Sequence, residues 1–141
     1  MARPRGRQLT VIQQAIGLQQ RFPNERRPLV KAGALVWTVT LQPTPMSVEY
    51  TVGIRYAHRR RPKVKVLNPM LESRPDESLP HVYPGDELCL YYGNEFDGSK
   101  HLIATTIVPW VSEWLYFYEH WIFTGKWLGT EAPHPPSLGT A

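Results

Sequence analysis

Cys89 is the only cysteine among the 141 residues, and it lies between Leu88 and Leu90. A cysteine thiolate both attacks a carbonyl carbon and leaves it again, so this side chain is suited to carrying an acyl group as a thioester. A serine hydroxyl leaves poorly, and serine at this position would stall such a cycle. Taken alone, however, a cysteine between two leucines is more often an inert buried residue than a nucleophile. Cys89 is therefore either a nucleophile or an inert buried residue.

Two polar side chains upstream of Cys89 are candidates to assist it. His81, eight residues earlier, could donate a hydrogen bond or act as a base towards an amine, or it could only order its own segment. Tyr83 could contribute a hydroxyl near the sulfur, although we favour simple packing of its ring. In the tail, Glu131 and His134 form a polar pair that could fold back over the site, although we favour a solvated tail.

The other histidines give no support for a metal site. None of them has metal-ligand spacing with Cys89, so zinc is not expected: His58, His101, His120 and His134. The sequence also contains no Gly-rich phosphate loop, and we therefore expect no cofactor.

The densest positive charge is the run of three arginines at 59–61, which is followed by Lys63 and Lys65. With a formal net charge of +4, the chain is mildly biased towards anionic partners. A basic run near aromatic residues could bind nucleic acid, but lysines on an exposed strand edge also discourage sheet-to-sheet pairing. We favour a solvated strand edge, or a docking surface for a carrier protein, over nucleic acid. The docking candidates are Arg59, Arg60, Arg61 and Lys63.

The length fits one compact domain, so we predict a single domain over residues 1–141 with flexible ends at residues 1–6 and 135–141. One cysteine cannot form an internal disulfide, which favours a reducing compartment, and the cytoplasm is the simplest location. No stretch reaches the roughly 18–20 apolar residues of a membrane span.

The apolar periodicity predicts an α+β chain that begins with a helix. Leu9, Ile12 and Ile16 recur at helical spacing, and alternation of period two follows in three later runs. These runs are rich in β-branched and aromatic residues, as strands are. We therefore predict an amphipathic helix followed by an antiparallel meander, at residues 7–22, 35–41, 48–56 and 63–67.

The second half of the chain is predicted to be a long crossing followed by helices. Residues 68–87 hold four prolines and several acids, and loops of this length in compact domains are often functional. Ser99 is predicted to cap a helical turn through Val108. Pro109 suits the first turn of a further helix, which Gly125 ends. Tryptophans at helical spacing on that helix are expected in the core: Trp110, Trp114 and Trp121.

This order of elements resembles the ubiquitin-conjugating enzyme fold. Residues 61–66 (RPKVKV) are similar to the family's PPKV segment, and Leu88-Cys89-Leu90 is similar to its Ile-Cys-Leu nucleophile segment. In the family, a His-Pro-Asn tripeptide precedes this segment; here Leu79 replaces the histidine and His81 replaces the asparagine. That variant, with residues 104–121 and 124–131, resembles divergent bacterial relatives encoded beside cyclic-nucleotide synthases in anti-phage defence operons.

The resemblance implies an α+β conjugating fold in which Cys89 and His81 form the catalytic site, with Tyr83 and His134 as possible supporting residues. It implies three partners: the ubiquitin-like C-terminus of a cyclic-nucleotide synthase, an activating enzyme and a target amine. The family's asparagine orders the loop and stabilises the oxyanion, and His81 would take that part. Two alternatives stay open, a catalytically inactive conjugating-fold binding module and a basic nucleic-acid-binding domain.

Overall fold

The structure is a computed structural model that describes residues 7–129. Within this range the chain is α+β, with a four-stranded antiparallel sheet between two helices in sequence and a separate two-stranded hairpin. The fold class predicted from the sequence is confirmed. The elements are α1 (Val11–Arg21), β1 (Leu29–Lys31), β2 (Ala34–Leu41), β3 (Tyr50–Ala57), β4 (Lys63–Asn68), β5 (Val82–Tyr83), β6 (Glu87–Leu88) and α2 (Ile107–Thr124).

The N-terminal helix begins later than the periodicity predicted because Thr10 caps it. The Thr10 hydroxyl accepts a hydrogen bond from the Gln13 backbone, and the Gln13 side chain accepts one from the Thr10 backbone, which together form a capping box. The predicted apolar stripe is not the buried face, since Ile12 and Ile16 are about half exposed.

The buried face of α1 instead contains a glutamine. Gln14 is fully buried, and its amide nitrogen donates to the carbonyls of Gly98 and His101, at 2.7 Å each. Its amide oxygen accepts from the Ile103 backbone at 2.9 Å. Because every polar atom of the side chain is paired, glutamine can take a core position that the pattern assigned to an apolar residue.

The predicted central hairpin is confirmed, and residues along both strands alternate as predicted. β2 and β3 pair from Ala34↔Ala57 to Leu41↔Tyr50, and β4 adds antiparallel to β3. The side chains on the inner face are nearly inaccessible to solvent: Leu35, Trp37, Val39, Val52, Ile54, Tyr56 and Val64. The three-residue strand β1 was not predicted, because so short a run shows no recognisable alternation.

Within the described residues after Cys89 there is a single helix, α2, whereas the sequence also predicted a helical turn between Cys89 and α2. Residues 98–106 form separate turns, and Ser99 does not cap a helix; its backbone and hydroxyl both donate to the Asp97 carboxylate. α2 then carries Pro109 in its first turn and ends at Gly125, which adopts φ 81° and donates to the Trp121 carbonyl. Both predicted boundary residues are confirmed.

No helix in residues 7–129 is long and apolar enough to cross a lipid bilayer. The ends predicted to be flexible, residues 1–6 and 135–141, lie outside the described range.

Candidate active site

A short hairpin brings Cys89 opposite His81. β5 and β6 pair Val82 with Leu88, and the ladder continues one step further, where the Cys89 backbone donates to the His81 carbonyl at 3.0 Å. The reversal at residues 84–86 needs a left-handed backbone, which Gly85 supplies at φ 83°. Opposed residues on an antiparallel ladder are close neighbours, so the two candidate catalytic residues are adjacent.

The backbone of His81 has a structural role, and its side chain lies at the site. It adopts φ 55°, a left-handed conformation that histidine, asparagine and aspartate tolerate better than other non-glycine residues. Its carbonyl accepts from both the Cys89 backbone and the Trp114 indole, the latter at 3.1 Å. Its imidazole packs against the Trp127 ring with a centroid separation of 4.5 Å.

Cys89 is half-buried and borders a groove of about 270 Å³. The groove is open on one side, so the thiol is not enclosed in the core. Near the sulfur, the Tyr91 carbonyl lies at 4.0 Å. Most of the lining is aromatic: His81, Tyr91, Tyr92, Trp110, Trp114, Phe117 and Trp127, with Leu90, Glu95, Glu113 and Gly129.

Tyr83 lies on the same hairpin as Cys89, where it pairs with Glu87, two residues before the cysteine. Burial of the phenol, and to a smaller extent its interaction with the Cys89 side chain, raises the pKa of Tyr83 to about 12. The Tyr83 ring also packs against the Arg61 guanidinium, which agrees with the packing role that we favoured. The neighbouring Tyr91 is also protonated to high pH, because burial raises its pKa to about 12.

Arg61 is exposed like the rest of the basic run, but it also has an acidic partner. Its guanidinium forms an ion pair with the Glu87 carboxylate at 2.7 Å, where the side chains of Arg61 and Glu87 are 42% and 11% exposed. The same guanidinium lies 4.1 Å from the centroid of the Tyr83 ring. All four docking candidates are at the surface: Arg59, Arg60, Arg61 and Lys63.

Sequence reasoning missed several residues that line the groove. Trp114 and Trp121 are buried as expected, but Trp110 is only half-buried and faces the groove with Phe117. Trp127 follows the helix and packs edge-on against Trp114. The spacing of positions 110, 114 and 117 along one helical stripe was the available signal. Because α2 is apolar on most of its surface, the sequence alone did not indicate which stripe lies beside Cys89.

The candidates in the tail, Glu131 and His134, lie outside the described residues. Within residues 7–129, no group of three or more histidine, cysteine or carboxylate side chains could hold a metal ion.

A family model described as "Type II CBASS E2 protein" is similar to the chain over residues 14–135, a range that contains the sheet, the Cys89 hairpin and α2. None of the curated proteins compared with the chain matches it.

Proposed function

The chain belongs to the type II CBASS E2 family, which consists of E2-like proteins of CBASS anti-phage operons, and we propose that it is a cysteine-dependent acyl transferase. The family gives it a conjugating-enzyme-like role in CBASS defence. In the proposed reaction, Cys89 carries the C-terminus of a ubiquitin-like partner as a thioester and passes it to an amine. We propose that this partner is the cyclic-nucleotide synthase of the operon, and that the reaction takes place in the cytoplasm, where a lone thiol stays reduced.

One observation carries the proposal: the Cys89 thiol is half-buried at the side of an open groove, adjacent to His81. An extended C-terminal peptide needs such a channel to reach the sulfur, and an acceptor amine needs room beside it. An inert structural cysteine would be expected inside the core, where Leu88 lies at 3% exposure.

In the first step, the Cys89 thiolate attacks the carbonyl carbon of the partner's C-terminus, which is held as a thioester on the activating enzyme. A new C–S bond forms, the old C–S bond breaks, and the activating enzyme's sulfur leaves with the electron pair. The activating enzyme consumes the ATP, so this chain needs no cofactor of its own. Tyr83, on the other strand of the same hairpin, is proposed as a supporting residue beside Cys89.

In the second step, a neutral amine attacks the thioester carbon. The C–N bond forms, the C–S bond breaks, and the electron pair returns to the Cys89 sulfur, which takes up a proton as the amine nitrogen loses one. His81 would donate a hydrogen bond to the transient oxyanion or accept the proton from nitrogen. The exposed residues Arg59, Arg60, Arg61 and Lys63 are proposed as a docking surface for the carried protein.

The experiment is a charging assay with the synthase, the activating enzyme and ATP, resolved on non-reducing gels. We expect a mass shift that disappears with reductant and is absent in Cys89→Ala. Cys89→Ser should instead give an ester that withstands reductant, because the oxygen is a poor leaving group. His81→Ala should still charge but discharge to amines more slowly.

Two outcomes would overturn the proposal. The first is an adduct that persists in Cys89→Ala, since the acyl group would then lie on another residue. The second is full phage protection by a Cys89→Ala strain, which would make the chain a binding module that has kept the conjugating fold.

A further inference from the structure

We propose that Trp127 is a positioning residue for His81, whose imidazole it holds in the orientation that serves the thioester on Cys89. The inference rests on the proposed function, because it concerns the histidine that assists the attack of the amine. It gives a task to a tryptophan that follows α2 and to which the sequence assigned no role.

The main chain of His81 is fixed independently of its ring. Its carbonyl accepts hydrogen bonds from the Cys89 backbone at 3.0 Å and from the Trp114 indole at 3.1 Å. These two bonds set the point at which the side chain leaves the hairpin, but they do not restrict rotation about its two torsions. The Trp127 ring lies against the imidazole with a centroid separation of 4.5 Å and an interplanar angle of 32°. This contact limits the orientations that the imidazole can adopt.

Trp127 is itself held by two aromatic rings of α2 and by the chain that follows it. Its indole packs edge-on against Trp114 at 5.3 Å and against Phe117 at 5.9 Å. At Gly129, a Cβ would lie 2.7 Å from the Trp127 indole nitrogen and 2.8 Å from the Phe117 ring. The backbone passes so close to both rings that only glycine leaves them in place. A ring confined in this way is a rigid support for the imidazole.

The contact between Trp127 and His81 lies at the reaction centre. His81, Cys89 and Trp127 line the same groove, and His81 is paired with Cys89 at the end of the hairpin. A hydrogen-bond donor or base assists amine attack only when it is held at the correct place, and a misplacement of about 1 Å can cost about 100-fold in rate. The effect of Trp127 should therefore appear in the attack of the amine, where His81 acts.

The test follows an acyl group that is placed on Cys89 without partner or activating enzyme. A small acetyl thioester acylates the thiol: the Cys89 sulfur forms the new C–S bond, and the small thiol leaves with the electron pair of the old one. Excess reagent is removed, free lysine is added, and loss of the acetyl group is followed by intact mass. Cys89 is the only cysteine, so Cys89→Ala corrects for acetyl groups on other side chains.

We expect Trp127→Leu to slow aminolysis about 10-fold and to leave the rate of acylation unchanged. His81→Ala should slow aminolysis about 100-fold. The double variant should match His81→Ala, because Trp127 acts through His81, whereas a general loss of structure would slow the double variant further. Trp127→Phe keeps an aromatic face for the imidazole and should stay within about 2-fold of the wild type.

Trp121→Phe is the matched control, because it changes a buried tryptophan of α2 that does not line the groove. It should unfold at lower urea and leave aminolysis unchanged. Gly129→Ala keeps every ring but displaces the Trp127 indole, so it should slow aminolysis as Trp127→Leu does. It provides the comparison if Trp127→Leu does not fold, as judged by urea unfolding.

The inference is overturned if aminolysis in Trp127→Leu is as fast as in Trp121→Phe, if His81→Ala leaves aminolysis unchanged, or if the double variant is slower than His81→Ala. The two proposals also fail separately. Slow aminolysis in Trp127→Leu, matched to the His81 effect, in a protein that never accepts the synthase would support the positioning role and remove the transferase. Normal charging and discharge, with aminolysis that does not depend on Trp127, would do the reverse.

Discussion

The central sheet and the crossing segment that carries Cys89 are stabilised in different ways. In the sheet, the inner side chains of β2 and β3 are almost completely buried hydrophobic residues. The crossing segment, residues 69–90, places Leu88 in the core and in addition makes directional contacts to α2. The Trp114 indole donates to the His81 carbonyl, the Trp121 indole donates to the Glu77 carboxylate, and the Tyr118 hydroxyl accepts from the Glu72 backbone.

The difference separates folding from the placement of the thiol. Burial of apolar surface is non-directional and supplies most of the driving force for folding. Hydrogen bonds contribute less to stability, but they fix distances and orientations. Changes in the sheet should therefore alter the fraction of folded protein, while changes in the contacts from α2 should alter Cys89 in protein that is still folded.

The largest expected effect is on stability, from Ile54→Ala in β3. Ile54 is 1% exposed, and its truncation should lower the free energy of unfolding by about 2–5 kcal/mol. Urea unfolding measures the loss. The variant leaves the contacts of the β5–β6 hairpin intact. The rate at which iodoacetamide alkylates Cys89, per folded molecule, should therefore equal that of the wild type. A changed alkylation rate in folded Ile54→Ala would contradict the separation of folding from the placement of the thiol.

A smaller effect on stability, with a change at the thiol, is expected from Trp114→Phe. The ring is largely kept, but the donor to the His81 carbonyl is lost, at a cost of about 1–3 kcal/mol. The hairpin should open more often, so iodoacetamide should modify Cys89 about 2–5-fold faster.

Trp121→Phe is the control for that prediction, because it removes the equivalent donor to Glu77 at a distance from the Cys89 groove. It should cost similar stability and leave the alkylation rate unchanged. Equal acceleration in both variants would mean that the crossing segment loosens as one unit.

The smallest effect is expected at alkaline pH. The pKa values of Tyr83 and Tyr91 are both raised to about 12, chiefly by burial, whereas a tyrosine in an unfolded chain ionises near pH 10. The folded chain therefore retains protons that the unfolded chain loses. The stabilisation that these residues give is complete below about pH 10 and is lost as the pH rises towards about 12.

Urea midpoints measured between pH 9 and pH 12 check this prediction. Tyr83→Phe should flatten the decline, because one of the phenols whose pKa is raised no longer titrates. Tyr116→Phe, at an exposed position on α2, should decline as the wild type does. A decline in Tyr83→Phe as steep as in the wild type would assign the alkaline loss to other groups.

The sequence predicted three of the four strands of the sheet and the boundary residues of α2, because those features depend on local rules. Alternation identified β2, β3 and β4, and Pro109 and Gly125 marked the helix. The buried face of α1 could not be predicted in the same way, because Gln14 is paired by residues more than eighty positions away.

Candidate site residues could be chosen from the sequence, but their arrangement could not. Cys89 and His81 were chosen from the sequence, and the structure makes them neighbours on one hairpin. The sequence also did not show that Arg61 pairs with Glu87, twenty-six residues later. No local pattern marks such a contact, and the same holds for the approach of Trp127 to His81.

The left-handed backbone at position 81 restricts evolutionary exchange there. At φ 55°, a β-branched side chain would strain the hairpin, whereas asparagine, aspartate, histidine and glycine could follow one another by substitution without any rebuilding of the main chain. Asparagine could thus be replaced by histidine beside the same sulfur without any change in the fold. The chemistry at this position can therefore diverge while the architecture is inherited unchanged.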